Sequence, residues 1–248
     1  MKIWATLGPS SYDKIKELES AGVDMFRLNL SHVDMLTTRI KQIQDATNLP
    51  ICVDTDCGKY TKGRLNKFVS TYGLKKKDVR EIDVARNLGV KWVALSFANI
   101  KDVCEIRITF PSMVLVSKIE HLSGLKDISE IANNSSALLI DRGDLSRSVD
   151  IAKIPDIQKH ILKRFPEVYV ATNLIDSMIA LRMVGIPVPT VGEVNDIWNT
   201  LCDGARGLVL AAETAIGKYP VESVKEVKKV IDEFERKQRK YLEDYVDA

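Results

Sequence analysis

Eight short apolar runs recur along the chain: Ile3 to Leu7, Met25 to Leu30, Ile51 to Val53, Trp92 to Phe97, Met113 to Ile119, Ala137 to Ile140, Val168 to Ala171 and Leu208 to Ala211. Each is rich in Val, Ile or Leu, and most end in polar residues. Between them the apolar positions recur at three and four, as at Ile15, Leu18 and Ala21 to Val23, or at Val79, Ile82, Val84 to Ala85 and Leu88. Nearly continuous apolar strands alternating with amphipathic helices predict a parallel sheet covered by helices. Eight such units in 248 residues fit an α/β fold of the (β/α)8 TIM-barrel type, spanning residues 1–248 as one domain. In that fold the polar groups at the carboxyl ends of the strands share one mouth, so functional residues are sought there.

The fifth run closes on Ser117-Lys118-Ile119-Glu120. Residues two apart on a strand share a face, so an ammonium and a carboxylate would stand side by side at the strand's end. By the same period Arg27, Asn29 and Ser31 share one side of the second strand. Arg27 is a fixed cation suited to phosphate or carboxylate. The third strand adds Asp54 and Thr55, which with Asn29 and Ser31 could form an all-oxygen set for a hard, monovalent cation. Ser96 and Thr172 end the fourth and seventh strands. The sixth ends Asp141-Arg142-Gly143-Asp144, where Gly143 lets backbone approach a ligand and Asp144 joins Glu120 as a carboxylate pair. Two carboxylates without His or Cys suit Mg or Mn, and Lys118 beside them would offset the charge of a phosphate or enolate.

Composition changes this picture little. Hydrophobic residues make up 45% and charged residues 28%, and the formal charge of +2 does not point to nucleic acid. Lys75-Lys76-Lys77 reads as a solvated loop. No apolar stretch approaches the roughly 18 residues of a membrane span, and the chain starts on a strand without a signal-peptide pattern, so a cytoplasmic protein is expected. Cys52, Cys57, Cys104 and Cys202, like His32, His121 and His160, lack metal-ligand spacing, and reduced thiols are expected.

The ordered blocks KIWATLGP (Lys2 to Pro9), RLNLSH (Arg27 to His32), ALSF (Ala94 to Phe97), SKIEH (Ser117 to His121), RGDL (Arg142 to Leu145), ATNLIDSMI (Ala171 to Ile179), PTVGEVNDIWNTLCDGA (Pro189 to Ala205) and ETAIGKYP (Glu213 to Pro220) resemble the barrel domain of pyruvate kinases over nearly the whole length. The resemblance implies that Lys118 stabilises a transferring phosphoryl group and an enolate, with Arg27 and Ser96 on phosphate. Thr172 would lie near the protonated carbon. Glu120 and Asp144 would hold Mg2+ or Mn2+, and the Gly143-Asp144 backbone would receive the substrate carboxylate. Asn29, Ser31, Asp54 and Thr55 match a K+ site, and Thr6, Pro9 and His32 match residues that touch the nucleotide. Phosphoenolpyruvate, pyruvate and ADP or ATP are the implied small-molecule partners, with no nucleic acid or membrane. Homo-oligomerisation is left open.

The departures are specific. Asp56 to Leu74 stands where the family inserts a lid domain, and Asp56 and Thr61 replace a Lys and an Arg, for which Lys59, Lys62 or Arg64 would have to substitute. Asp141 replaces a small residue beside the substrate carboxylate, adding repulsion unless Arg142 or another cation offsets it. Ser146, Val188 and Val191 also differ from the family. After Pro220 one helix is expected, to about Tyr245, with no regulatory domain. Three functions follow: transfer of phosphate between phosphoenolpyruvate and ADP, enolate chemistry without nucleotide as in a lyase, aldolase or transferase, or non-catalytic binding of phosphoenolpyruvate or pyruvate.

Overall fold

The computed structural model describes residues 1–56, 60–62, 68–70, 73–179 and 188–246. Eight parallel strands close into a barrel: Lys2–Thr6, Met25–Asn29, Ile51–Asp54, Trp92–Leu95, Val114–Ile119, Ala137–Asp141, Val168–Ala171 and Gly207–Leu210. Each pairs with the strands before and after it in the chain, and the first pairs with the eighth through Lys2↔Gly207 to Ala5↔Leu210. All eight apolar runs are therefore barrel strands. Closure is tight at that seam: a Cβ on Gly207 would lie 2.4 Å from the Lys2 carbonyl oxygen, so only glycine fits.

A helix follows every strand. The first, Ile15–Ala21, buries Ile15, Leu18 and Ala21, and stops at Gly22, whose φ of 113° is left-handed. Helices Lys76–Asn87, Ile100–Thr109, Ile154–Arg164 and Val191–Cys202 pack in the same way, and the last helix, Pro220–Val246, lies one residue outside the predicted bounds. Lys76 and Lys77 open a helix rather than a loop, although both remain exposed. A short antiparallel pair, Tyr60–Lys62 with Phe68–Ser70, falls within the 56–74 segment. Cys57, Lys59 and Arg64 lie outside the described residues, as do the side chains of Thr61 and Lys62. Cys52, Cys104 and Cys202 are free thiols. Among the described residues no helix is long and apolar enough to cross a membrane.

The two faces of the strands serve two cores. Outward residues such as Ile3, Phe26, Leu28, Val53 and Leu115 pack under the helices. Inward residues Trp4, Met25, Cys52, Ala94, Val116, Leu139 and Tyr169 fill the barrel, with the Trp4 and Tyr169 rings 4.4 Å apart. Two residues further along the same strands, the inward positions become Thr6, Arg27, Asp54, Ser96, Lys118 and Asp141. The side-chain period of two thus stacks an ionic layer on an apolar plug, facing the carboxyl-terminal mouth.

Candidate active site at the carboxyl-terminal mouth

Lys118 and Glu120 share the inward face of the fifth strand's end, with Nζ 2.8 Å from Glu120 Oε1. The same ammonium donates to Asp54 Oδ2 at 3.1 Å and to Ser96 Oγ at 3.2 Å, and stands 3.9 Å from Asp141 Oδ2. Asp54 is the hub: fully buried, its Oδ2 also accepts from Arg27 Nη1 at 3.0 Å, and its Oδ1 from Ser96 Oγ at 3.0 Å. Arg27 Nε donates to Thr6 Oγ1 at 2.8 Å, which ties the guanidinium to the barrel wall. Burial opposes the Lys118 ammonium, but the carboxylates of Asp54, Glu120 and Asp141 outweigh it and push its pKa up, so it stays charged. Burial pushes the Glu120 carboxyl up to about 8, against the pull of Lys118.

Three non-glycine residues at the mouth adopt left-handed backbone: Phe97 (φ 49°), Thr172 (φ 65°) and Asn173 (φ 51°). Such conformations cost roughly 1–3 kcal/mol each and persist only where surroundings enforce them. The Phe97 amide donates to Glu120 Oε2 at 2.5 Å. Arg142 enforces the other two. Its Nε and Nη2 donate to the Thr172 carbonyl at 3.0 and 2.9 Å, Nη2 donates to the Asn173 carbonyl at 2.7 Å, and Nη1 pairs with Asp196 at 2.6 Å. The cation expected to offset Asp141 is therefore committed elsewhere, and Lys118 is the ammonium that faces Asp141. The clamp holds the Thr172 hydroxyl where it accepts from Gly143 N at 2.8 Å and donates towards Asp141 Oδ1 at 2.9 Å or the Ala171 carbonyl at 2.6 Å.

A cavity of about 520 Å³ opens over this layer, bordered by Thr6, Pro9, Arg27, Asn29, His32, Asp141, Gly143, Asp144 and Thr172. Of the sequence-derived candidates, these line one space, while Asp54, Ser96, Lys118 and Glu120 are buried behind it, linked to the lining residues Arg27 and Asp141 through Asp54 and Lys118. The four monovalent-cation candidates are adjacent across strands two and three, and their oxygens have protein partners. Asn29 Oδ1 accepts from Ser31 N at 2.9 Å, Ser31 Oγ donates to Asp56 Oδ1 at 2.5 Å, and Thr55 Oγ1 accepts from Ser96 N at 3.0 Å. Tyr12 and Arg147 also border the cavity and were not singled out from the sequence, because both sit in connections without a periodic pattern. Asp196, the partner of Arg142, is signalled only by its place in the PTVGEVNDIW block.

The donor set fits a hard divalent cation. Glu120, Asp141 and Asp144 each present an oxygen within 4.8 Å of the others, and the buried Glu120 Oε1 has the Lys118 ammonium 2.8 Å away. Asp54, Glu120, Asp141 and Asp144 set four carboxylates against Arg27, Lys118 and Arg147, whose Nη1 stands 3.4 Å from Asp144 Oδ1, and the excess of acidic groups suits a bound cation.

Fold and mouth together define a (β/α)8 barrel that gathers an ammonium, a guanidinium and a carboxylate set at its carboxyl end. Residues 36–224 match the model for the pyruvate kinase barrel domain, and the chain belongs to that family. It is 36% identical over 169 residues to a pyruvate kinase of Agrobacterium vitis, covering 66% of this chain and 34% of that protein. It is 39% identical over 158 residues to the pyruvate kinase of Methanocaldococcus jannaschii, covering 62% and 35%. For the pyruvate kinase of Thermotoga maritima the identity is 39% over 157 residues, covering 60% and 33%. The matched region thus spans about a third of the length of these relatives.

Proposed function

We propose that the chain carries a minimal pyruvate-kinase-like site, which moves a phosphoryl group between phosphoenolpyruvate and ADP to give pyruvate and ATP. The observation that carries this reading is Lys118, a buried ammonium kept charged between Asp54, Glu120 and Asp141, the last of which borders the mouth cavity. A fixed cation there stabilises the phosphoryl group in transit and the negative charge that develops on the enolate oxygen. Arg27, oriented by Thr6 and Asp54 and sharing Asp54 Oδ2 with Lys118, serves the phosphate beside it, and Ser96 supplies a hydroxyl next to Lys118. Thr172, held by the Arg142 clamp, is assigned to protonation of the enolate carbon, and the Gly143-Asp144 backbone, whose amides meet Thr172 Oγ1 and Asp141 Oδ1, is assigned to the substrate carboxylate. Glu120 and Asp144 would hold Mg2+ or Mn2+, which supplies Lewis-acid stabilisation to phosphate and enolate oxygens. Asn29, Ser31, Asp54 and Thr55 are assigned to K+, and Thr6, Pro9 and His32 to the nucleotide.

In this reading residues 1–248 act as one barrel domain in the cytoplasm, with the 56–74 segment in place of a lid. Asp141 favours a second reading, enolate chemistry without nucleotide, because its carboxylate takes the Thr172 hydroxyl and the Asp144 amide for itself. The test is to incubate the protein with phosphoenolpyruvate, ADP, Mg2+ and K+, and to follow pyruvate and ATP together. Equal formation of both, lost in Lys118→Met, is expected. Consumption of phosphoenolpyruvate without ATP would transfer support to the second reading.

A further inference from the structure

Asp141 stands out as a buried carboxylate that the proposed reaction does not use. It lies at the carboxyl end of the sixth strand, inward in register with Ala137 and Leu139, and is 5% exposed. Its two oxygens face different tasks. Oδ1 is engaged by the Thr172 hydroxyl at 2.9 Å and, at 3.4 Å, by the Asp144 amide. Oδ2 lies 3.9 Å from Lys118 Nζ, which is beyond hydrogen-bonding reach. Glu120, Asp141 and Asp144 each place an oxygen within 4.8 Å of the others. Octahedral coordination at 2.0–2.1 Å sets neighbouring ligand oxygens about 3 Å apart, so a shift of about 1–2 Å would bring all three onto one ion. Glu120 Oε1 is buried, with the Lys118 ammonium 2.8 Å away as its ion-pair partner.

We propose that Asp141 is a third carboxylate ligand of the divalent cation, through Oδ2, so that this chain binds the ion by three protein carboxylates and not two. The inference rests on the assignment of Glu120 and Asp144 to the metal and extends it. With three protein oxygens in place, three coordination positions remain for water or substrate, and the ion's charge is more than offset by its own ligands. A highly anionic substrate therefore meets a weaker positive field at the ion, and Lys118 and Arg27 carry more of its recognition.

The experiment uses Mn2+ alone with the full chain, without phosphoenolpyruvate or nucleotide, so its outcome is independent of whether ATP is ever formed. Free Mn2+ is read by electron paramagnetic resonance for the wild type, Asp141→Asn, Glu120→Gln and Asp144→Asn. Asparagine keeps an oxygen for Thr172 and the Asp144 amide but removes the second anionic oxygen. The expected result is one Mn2+ per chain and a loss of affinity of roughly tenfold or more in each variant. On the wild type itself, electron–nuclear double resonance should count three bound waters, which keeps the test open even if a variant does not fold. Four waters, or wild-type affinity in Asp141→Asn beside weakened Glu120→Gln and Asp144→Asn, would overturn the proposal and leave a two-carboxylate site. No Mn2+ binding by the wild type would overturn both.

Discussion

Asp54→Asn is the substitution that most directly probes how the mouth is held together. The native carboxylate is fully buried, and three groups depend on it: Arg27 Nη1 at 3.0 Å, Lys118 Nζ at 3.1 Å and Ser96 Oγ at 3.0 Å. Asparagine keeps the shape but removes the charge that the guanidinium and the ammonium share. Removing one partner of a buried ion pair costs about 3–5 kcal/mol, because the other charge stays desolvated without compensation. Here Lys118 retains Glu120, so the lower half of that range, about 3–4 kcal/mol, is expected. Urea unfolding followed by circular dichroism measures it. With a slope of about 3 kcal/mol/M the midpoint should fall by roughly 1 M. Lys118→Met removes one of the two dependent cations, so the double variant should be less destabilised than the sum of the two singles by about 1–3 kcal/mol. A loss below about 1 kcal/mol for Asp54→Asn, or strictly additive effects, would refute the hub assignment.

Arg142→Lys should release the left-handed turn at Thr172 and Asn173, since an ammonium cannot fork to two carbonyls and Asp196 together. About 1–3 kcal/mol of stability should be lost, together with most turnover, measured by urea unfolding and by the pyruvate assay. In the metal-free protein the raised pKa of Glu120 means that the folded chain holds a proton the unfolded chain has released. The contribution of Glu120 to stability is therefore full below about pH 4.5 and is lost as pH rises towards about 8, by at most about 1.4 kcal/mol per unit. Unfolding midpoints in chelator at several pH values check this, and Glu120→Gln should reduce the slope. Gly207→Ala would push a Cβ to within 2.4 Å of the Lys2 carbonyl and 2.9 Å of the Lys2 Cβ, and the melting temperature should fall by roughly 4–10 °C.

The barrel was legible because a strand buried on both faces is a short apolar run, and a helix between strands repeats at three and four. The pairing of Lys118 with Glu120 followed from the period of two alone. What pattern could not show is which oxygen meets which cation. Asp54, read as part of an oxygen cage, is the acceptor that Arg27 and Lys118 share, because the barrel's curvature brings strands two, three and five to one point. Arg142, expected beside Asp141, turns instead to the backbone carbonyls of the seventh strand's end. Left-handed backbone at Phe97 and Thr172 carries no glycine to announce it, since surrounding contacts, not local preference, hold those residues there, whereas Asn173 is of a type that tolerates it.

Stabilisation of a pyruvate enolate by the ionic layer around Lys118 is the step on which the proposed function depends. It is tested most directly by proton nuclear magnetic resonance of pyruvate in D2O with the protein, Mg2+ and K+, and no nucleotide. The methyl signal should decay as deuterium replaces hydrogen, at a rate proportional to protein concentration and abolished in Lys118→Met. A methyl signal that decays no faster than in buffer, with pyruvate and metal both saturating, would contradict it.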